Sequence, residues 1–143
     1  NHGCNGGWPS SALNYVKAGG IASESEYPYA GKDQSCQKNG GSFKLSSYAS
    51  ASGCAGIASA VNGQPISVTV DATNWSSYRG GVFSNCGANI NHAVLLVGTV
   101  GGAWKIKNSW TTSWGESGYI RLAGAGTSNT CGVCSYPGVY PTA

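Results

Sequence analysis

One stretch constrains this chain more than any other. His92 stands directly before a continuous apolar run, Ala93 to Val97, which is followed by Gly101-Gly102 and a short segment, Ala103 to Lys107, ending at Asn108. An unbroken apolar run of strand length predicts a strand buried on both faces. A Gly-Gly pair between two such segments is a hairpin turn signal. Residues 93–100 and 103–107 therefore read as antiparallel partners, and the start of one strand lies beside the end of the other. That places His92 and Asn108 next to each other at one edge of a sheet.

The pair has a chemical meaning that neither residue has alone. A histidine before a strand, or an asparagine near a turn, is ordinarily structural. A histidine acting as a base must present one ring nitrogen to a nucleophile while a second group fixes the other. An asparagine oxygen accepts that second N–H without adding charge. Trp110, two residues beyond Asn108, can shield the bond from water and strengthen it. His2, the other histidine, sits in a glycine-rich loop with no evident partner.

The remaining elements are short. Pro9 suits the first turn of a helix that ends at Gly19-Gly20. Residues from Phe43 to Tyr48 predict a strand, and Ala55 to Val61 a helix with Ser52 as N-cap and Asn62-Gly63 as its stop. Ile66 to Val70 and Gly118 to Leu122 read as strands, and Tyr78 to Phe83 as a loop leading into another. Composition narrows the class. Only 9% of the 143 residues are charged, against about 25% usually, and the net charge of +3 is carried by scattered Lys and Arg, so no nucleic-acid partner is expected. No apolar run approaches the roughly 20 residues of a membrane span, and no membrane association is expected. Six cysteines without a methionine fit an oxidising compartment, and Asn74-Trp75-Ser76 is an N-glycosylation acceptor pattern.

Several motifs, in this order along the chain, carry a resemblance. Gly3-Cys4-Asn5-Gly6-Gly7, Tyr27-Pro28-Tyr29, Tyr78-Arg79-Gly80-Gly81-Val82-Phe83, Asn91-His92-Ala93-Val94 with Gly98, Lys107-Asn108-Ser109-Trp110, Trp114-Gly115-Glu116-Ser117-Gly118-Tyr119 and Tyr140-Pro141 together resemble the papain and cathepsin L family of cysteine proteases. The resemblance implies that His92 is the catalytic histidine, that Asn108 orients it, and that Trp110 covers the pair and borders the primed side. It implies that the backbone at Gly6 and Gly7 pairs with an extended substrate, a form of strand addition. Trp8, Pro9, Thr69 and Ala93 match positions lining the main specificity pocket, which would be apolar and take Leu, Val or Phe-like side chains. The pocket floor would fall near Tyr136 or Pro137. Asn91 precedes the histidine where papain itself has an aspartate, so a carboxylate that would favour an imidazolium is absent there.

The family's nucleophile does not match any cysteine of this chain. It lies near the mature N-terminus, with the histidine and asparagine about 130–150 residues downstream, which puts it roughly 40 residues before Asn1. The glutamine of the oxyanion hole would lie there too. In the family, the cysteines matching Cys4 and Cys36 pair with upstream cysteines, and Cys86 with Cys131 matches the remaining bridge. Cys54 and Cys134 are left, and are expected to pair with each other. Cys131-Gly132-Val133-Cys134 has the spacing of a redox pair or of half a zinc site, but no second pair at metal spacing exists, so neither metal nor cofactor is expected.

The expected fold is therefore α+β and papain-like, with residues 1–45 ending the helical domain and 46–143 forming the antiparallel β-barrel domain. The implied function is peptide hydrolysis by a cysteine endopeptidase, lysosomal, vacuolar or secreted, in which this chain supplies His92 and Asn108. An upstream segment or second chain, disulfide-linked through Cys4 and Cys36, would supply the thiolate. Peptide or protein substrates, and a propeptide or inhibitor, are the partners the resemblance implies. By itself the chain would be inactive. The alternative is a serine-substituted or non-catalytic papain-like protein with a binding or structural role.

Overall fold

The computed structural model describes residues 1–142. It divides into two compact units, residues 1–49 with the C-terminal residues from Pro141, and residues 50–140. In the first, helix α1 (Pro9–Gly19) begins with Pro9 at its first turn and ends at Gly20, whose N–H donates to the Val16 carbonyl. No residue of α1 is buried. Strand β1 covers Ser47–Ala51, overlapping only at Ser47 and Tyr48 the Phe43–Tyr48 stretch that side-chain type suggested. Phe43 instead makes an isolated antiparallel bridge to Ile21 and remains largely exposed. A lone two-residue bridge leaves its apolar side chains no facing layer to pack against.

The second unit is built on a sheet. Helix α2 (Gly53–Ala60) follows Ser52, which occupies the N-cap position without a side-chain capping bond. Strands β2 (Ile66–Val70), β3 (Val82–Phe83), β4 (His92–Val100), β5 (Ala103–Lys107), β6 (Tyr119–Ala123) and β7 (Gly138–Thr142) give the sheet order β1-β7-β2-β4-β5-β6-β3. The pairings of β4 with β2 and β5, and of β5 with β6, are antiparallel; the short β3 runs parallel to β6. Gly101 and Gly102 turn the β4–β5 hairpin with φ of 54° and 75°, the doubly left-handed turn that glycine adopts without strain.

Strand β4 corrects one expectation. Val94 and Leu96 are buried, but Ala93 is exposed and Leu95 and Val97 are only half-buried. The run is apolar on both faces, yet one face alone meets the core, as an antiparallel sheet allows. That core face carries Ile66, Val68 and Val70 from β2, Trp104 and Ile106 from β5, and Ile120 and Leu122 from β6, all essentially inaccessible, and packs on Ile57 of α2, Trp75 and Val133. Each fully buried aliphatic side chain contributes roughly 1.5–3 kcal/mol. Two disulfides, Cys54–Cys134 and Cys86–Cys131, tie loops onto this core.

Candidate active site

A bulge in the hairpin decides which side chains meet. Near the turn the pairs are Val100↔Ala103, Thr99↔Trp104 and Gly98↔Lys105; past it they become Leu96↔Ile106 and Leu95↔Lys107. Val97 is the extra residue, and an extra residue reverses the in-out phase of its strand relative to the partner. Continuing the second register one step sets Asn108 opposite Val94, on the face of Val94 and, two residues back, of His92. Without the bulge, Asn108 would share its face with Ala93 and Leu95, and His92 would point the other way.

With it, His92 Nε2 lies 2.8 Å from Asn108 Oδ1. The same oxygen accepts the Ser109 backbone N–H at 2.8 Å. This second bond identifies the amide atom, because a backbone N–H requires an oxygen. Oδ1 therefore faces the imidazole, Nε2 carries the proton, and Nδ1 is left with its lone pair, the form a general base needs. Asn108 is buried and His92 half-buried. The Asn108 backbone N–H donates to the Gly118 carbonyl at 3.0 Å, extending the ladder beyond the end of β5. The arrangement has a cost: Asn108 Nδ2 is buried with no protein partner among the described residues, a state worth about 1–3 kcal/mol against folding.

Aromatic rings wall the pair. Trp110 lies against His92 with centroids 5.3 Å apart and planes 30° apart. Trp75 meets the imidazole in a T-shaped arrangement at 6.3 Å and 89°, stacks on Trp114 at 6.1 Å, and accepts the Trp114 indole N–H on its backbone carbonyl at 3.0 Å. The place of Trp110 two residues after Asn108 marks it in the sequence. Nothing in the local pattern distinguishes Trp75 from an ordinary core aromatic, and Trp114 stands out only as part of a motif.

The segment entering β4 is held by a polar network. The buried Asp71 accepts the Thr73 hydroxyl at 2.6 Å and backbone N–H groups of Thr73 and Asn89 at 3.1 Å each. These bonds, the Thr73 hydroxyl first, hold its carboxyl below the ordinary aspartate range in spite of burial. Asn91 accepts the Ala72 N–H at 2.9 Å and donates to the Thr73 hydroxyl at 3.0 Å. Asn91, adjacent to the histidine, is thus committed to the loop.

The other sequence-derived candidates fall as follows. Thr69 and Ala93 are cross-strand partners of β2 and β4, Thr69 buried and Ala93 exposed. Gly6, Gly7, Trp8 and Pro9 are consecutive in the first unit. Gly6 has φ of 88°, and a Cβ there would meet nothing within 4 Å. Trp8 is exposed, and its backbone N–H donates to Asn1 Oδ1 at 2.8 Å. Cys4 and Cys36 are free and exposed. Asp33, hydrogen-bonded to Cys4, raises the Cys4 thiol pKa; Cys36 Sγ donates to Asn39 Oδ1 at 3.2 Å. No group of three or more His, Cys, Asp and Glu among the described residues could hold a metal ion, and no helix is long and apolar enough to cross a membrane.

A family profile described as papain family cysteine protease matches residues 1–141. Cathepsin L 2 of Paramecium tetraurelia is 46% identical over 143 aligned residues, covering 96% of this chain and 44% of that protein. Digestive cysteine proteinase 1 of Homarus americanus is 41% identical, covering 99% of this chain and 48% of its own length. The chain thus spans just under half the length of these curated relatives. Among solved structures, the Carica candamarcensis cysteine protease CMS1MS2 in complex with E-64 superposes with a TM-score of 0.91 at 38% identity, covering 99% of this chain and 71% of that one. Digestive procathepsin L2 of Tenebrio molitor superposes with a TM-score of 0.85 at 38% identity, covering 98% and 48%.

Proposed function

The chain belongs to the papain family of cysteine proteases, and from that premise we propose that His92 is the base of a peptidase whose nucleophilic cysteine is supplied by a segment outside these 143 residues. The observation that carries this reading is the oxygen of Asn108, shared between His92 Nε2 and the Ser109 N–H. It leaves Nδ1 of His92 as the basic atom. In the mechanism, Nδ1 takes the proton of a thiol; the thiolate attacks the scissile carbonyl; the imidazolium then protonates the leaving amine. Through both proton transfers Nε2–H stays on Asn108, so the ring keeps its orientation. Trp110 and Trp75 limit water at that bond.

Substrate would bind as an extended peptide, its backbone against Gly6 and Gly7, with Leu, Val or Phe-like side chains preferred. The nucleophile-bearing segment would be joined by disulfides through Cys4 and Cys36, both free and exposed. The complete enzyme would work in a lysosomal, vacuolar or secretory setting, controlled by a propeptide or inhibitor. The test is labelling with an epoxide inhibitor of the E-64 type. The complete protein should be alkylated at one cysteine upstream of Asn1, and His92→Ala should lower both labelling and peptide hydrolysis by about 100-fold to 10,000-fold. This chain alone should not react with the reagent as an active-site thiol. A complete protein that hydrolyses no peptide and takes no label would instead be a serine-substituted or binding member of the family.

A further inference from the structure

We propose that Asn74 is an N-glycosylation site, presented by the fold on a turn whose middle residue is anchored beneath the surface. The inference does not rest on the peptidase reading. Asn74-Trp75-Ser76 has the acceptor pattern, with a residue other than proline at the centre. The fold disposes the three residues in opposite directions. Trp75 is completely buried, held by its stacking on Trp114 and its edge contacts with Trp110 and His92. Asn74 and Ser76 are exposed on either side of it. Two backbone bonds, Trp75 N–H to the Ala72 carbonyl and Tyr78 N–H to the Trp75 carbonyl, each 3.0 Å, fix the turn. A bulky, solvated modification therefore has an outward path, and the residue between asparagine and serine keeps the turn in place.

The Asn74 side chain already has a defined pose. Its Nδ2 donates to the Asn85 carbonyl at 2.9 Å, next to Cys86 of the Cys86–Cys131 bridge. An amide nitrogen carries two hydrogens. Glycosylation replaces one; the other can keep the bond to Asn85. In the transfer, the anomeric carbon of the donor oligosaccharide forms a bond to Nδ2 and its bond to the oxygen of a lipid diphosphate breaks. The amide proton goes to solvent or an enzymic base, and the lipid diphosphate leaves. The donor class is a lipid-linked oligosaccharide, and the acceptor must enter the compartment that holds it. The Cys54–Cys134 and Cys86–Cys131 disulfides fit such an oxidising compartment.

The test is secretion of the full chain, behind a cleavable leader, from a eukaryotic cell, with intact-mass analysis of the disulfide-bonded product. The expected product is heavier than the polypeptide, collapses to a single lighter mass on treatment with a peptide N-glycosidase, and yields a peptide deamidated at position 74. Ser76→Thr should retain the added mass, whereas Asn74→Gln and Ser76→Ala should each remove it. A secreted chain with the bare polypeptide mass overturns the proposal. So does sugar confined to a retained, misfolded pool, or an added mass that persists in Asn74→Gln. The wild-type measurement decides the matter even where a variant fails to be secreted.

Discussion

The two units of this molecule hold themselves together by different means. In residues 50–140 a sheet closes over a layer of side chains, and every buried hydrophobic residue among those described lies between Ile57 and Val139. In residues 1–49 helix α1 buries nothing, and Trp8, Tyr15, Ile21, Tyr29 and Phe43 are all substantially exposed. What fixes that segment is polar: Asp33 on the Cys4 N–H, Glu24 on the Tyr29 N–H, the Tyr15 hydroxyl on the Gly40 N–H. Net hydrogen-bond contributions are about 1 kcal/mol each where water competes, whereas a core sums many burials. His92 and the Asn108 amide bonded to it are thus mounted on the part of the chain that makes its own core, and the part carrying Gly6 and Gly7 is not self-supporting in the same way.

The largest effect should come from testing that contrast directly. Ile106→Ala removes a fully buried side chain from the sheet and should cost about 2–5 kcal/mol. Ile21→Ala removes a side chain already 48% exposed and should cost within about 0.5 kcal/mol. Urea melts of the two variants give both numbers. Equal losses would mean that the first unit contributes a core of its own and the comparison fails.

The second effect concerns the bridge that closes the longer loop. Cys54 and Cys134 are 80 residues apart in sequence, and such a link limits the unfolded ensemble by about 2–4 kcal/mol. Cys54→Ser with Cys134→Ser should lower the midpoint for residues 50–140 while leaving hydrogen exchange in α1 unchanged. Slower or faster exchange in α1 would show that the two units open together.

How much of this was readable beforehand follows from the same contrast. The hairpin was legible because an apolar run and a Gly-Gly turn are local signals, and the strands Ile66 to Val70 and Ala103 to Lys107 stand where those signals put them. The bulge at Val97 was not legible: Gly98 beside it is the one local hint, and phase depends on the partner strand. Proximity of His92 and Asn108 followed from the hairpin; their sharing of one face did not. The strand begins at Ser47 and not at Phe43 because β propensity describes fit to a half-buried pleat, and Phe43 has only an isolated bridge to Ile21. Trp75 escaped notice because its role arises from residues far away in sequence, namely His92, Trp110 and Trp114.

A smaller effect compares one ion pair in each unit. Glu116 accepts Arg121 at 2.6 and 2.9 Å and the Gly81 N–H at 2.9 Å, and its carboxyl is pulled down to about 2, chiefly by Arg121. Glu26, bonded to Lys38 at 2.6 Å and to Ser23, is likewise pulled down to about 2, chiefly by Lys38. A free glutamate titrates near 4.3. Both folded values lie below it, so the folded state binds fewer protons, and each contribution is complete above about pH 4.3 and fades as pH falls toward about 2. Glu116→Gln should cost up to about 1 kcal/mol at pH 7, the upper end for a partly exposed pair, and the deficit should shrink steadily below pH 4. Glu26→Gln should cost less and lose its effect in about 1 M salt, where screening acts within roughly 3 Å. A Glu116→Gln deficit that persists at pH 2 would assign the loss to something other than the charge.

The smallest effect is a gain. Ser117 and Gly118 have φ of 55° and 91°, and Glu116 and Tyr119 exchange backbone bonds of 2.9 and 3.1 Å around them. This is a two-residue hairpin with both central residues left-handed, the geometry for which Asn-Gly is the favoured pair. Serine pays for that conformation with the Cβ crowding that asparagine tolerates better. Ser117→Asn should therefore stabilise by about 0.5 kcal/mol, and Ser117→Val, β-branched at a left-handed position, should destabilise by more than that. The turn feeds β6 and contains the Gly118 carbonyl that receives the Asn108 N–H, so the gain should appear as slower exchange of the β6 and Asn108 amides. If exchange in α1 slows by the same factor, opening is global and the two units share one cooperative transition. If α1 does not respond, the sheet unit is the independently stable part, and the His92–Asn108 pair is anchored within it.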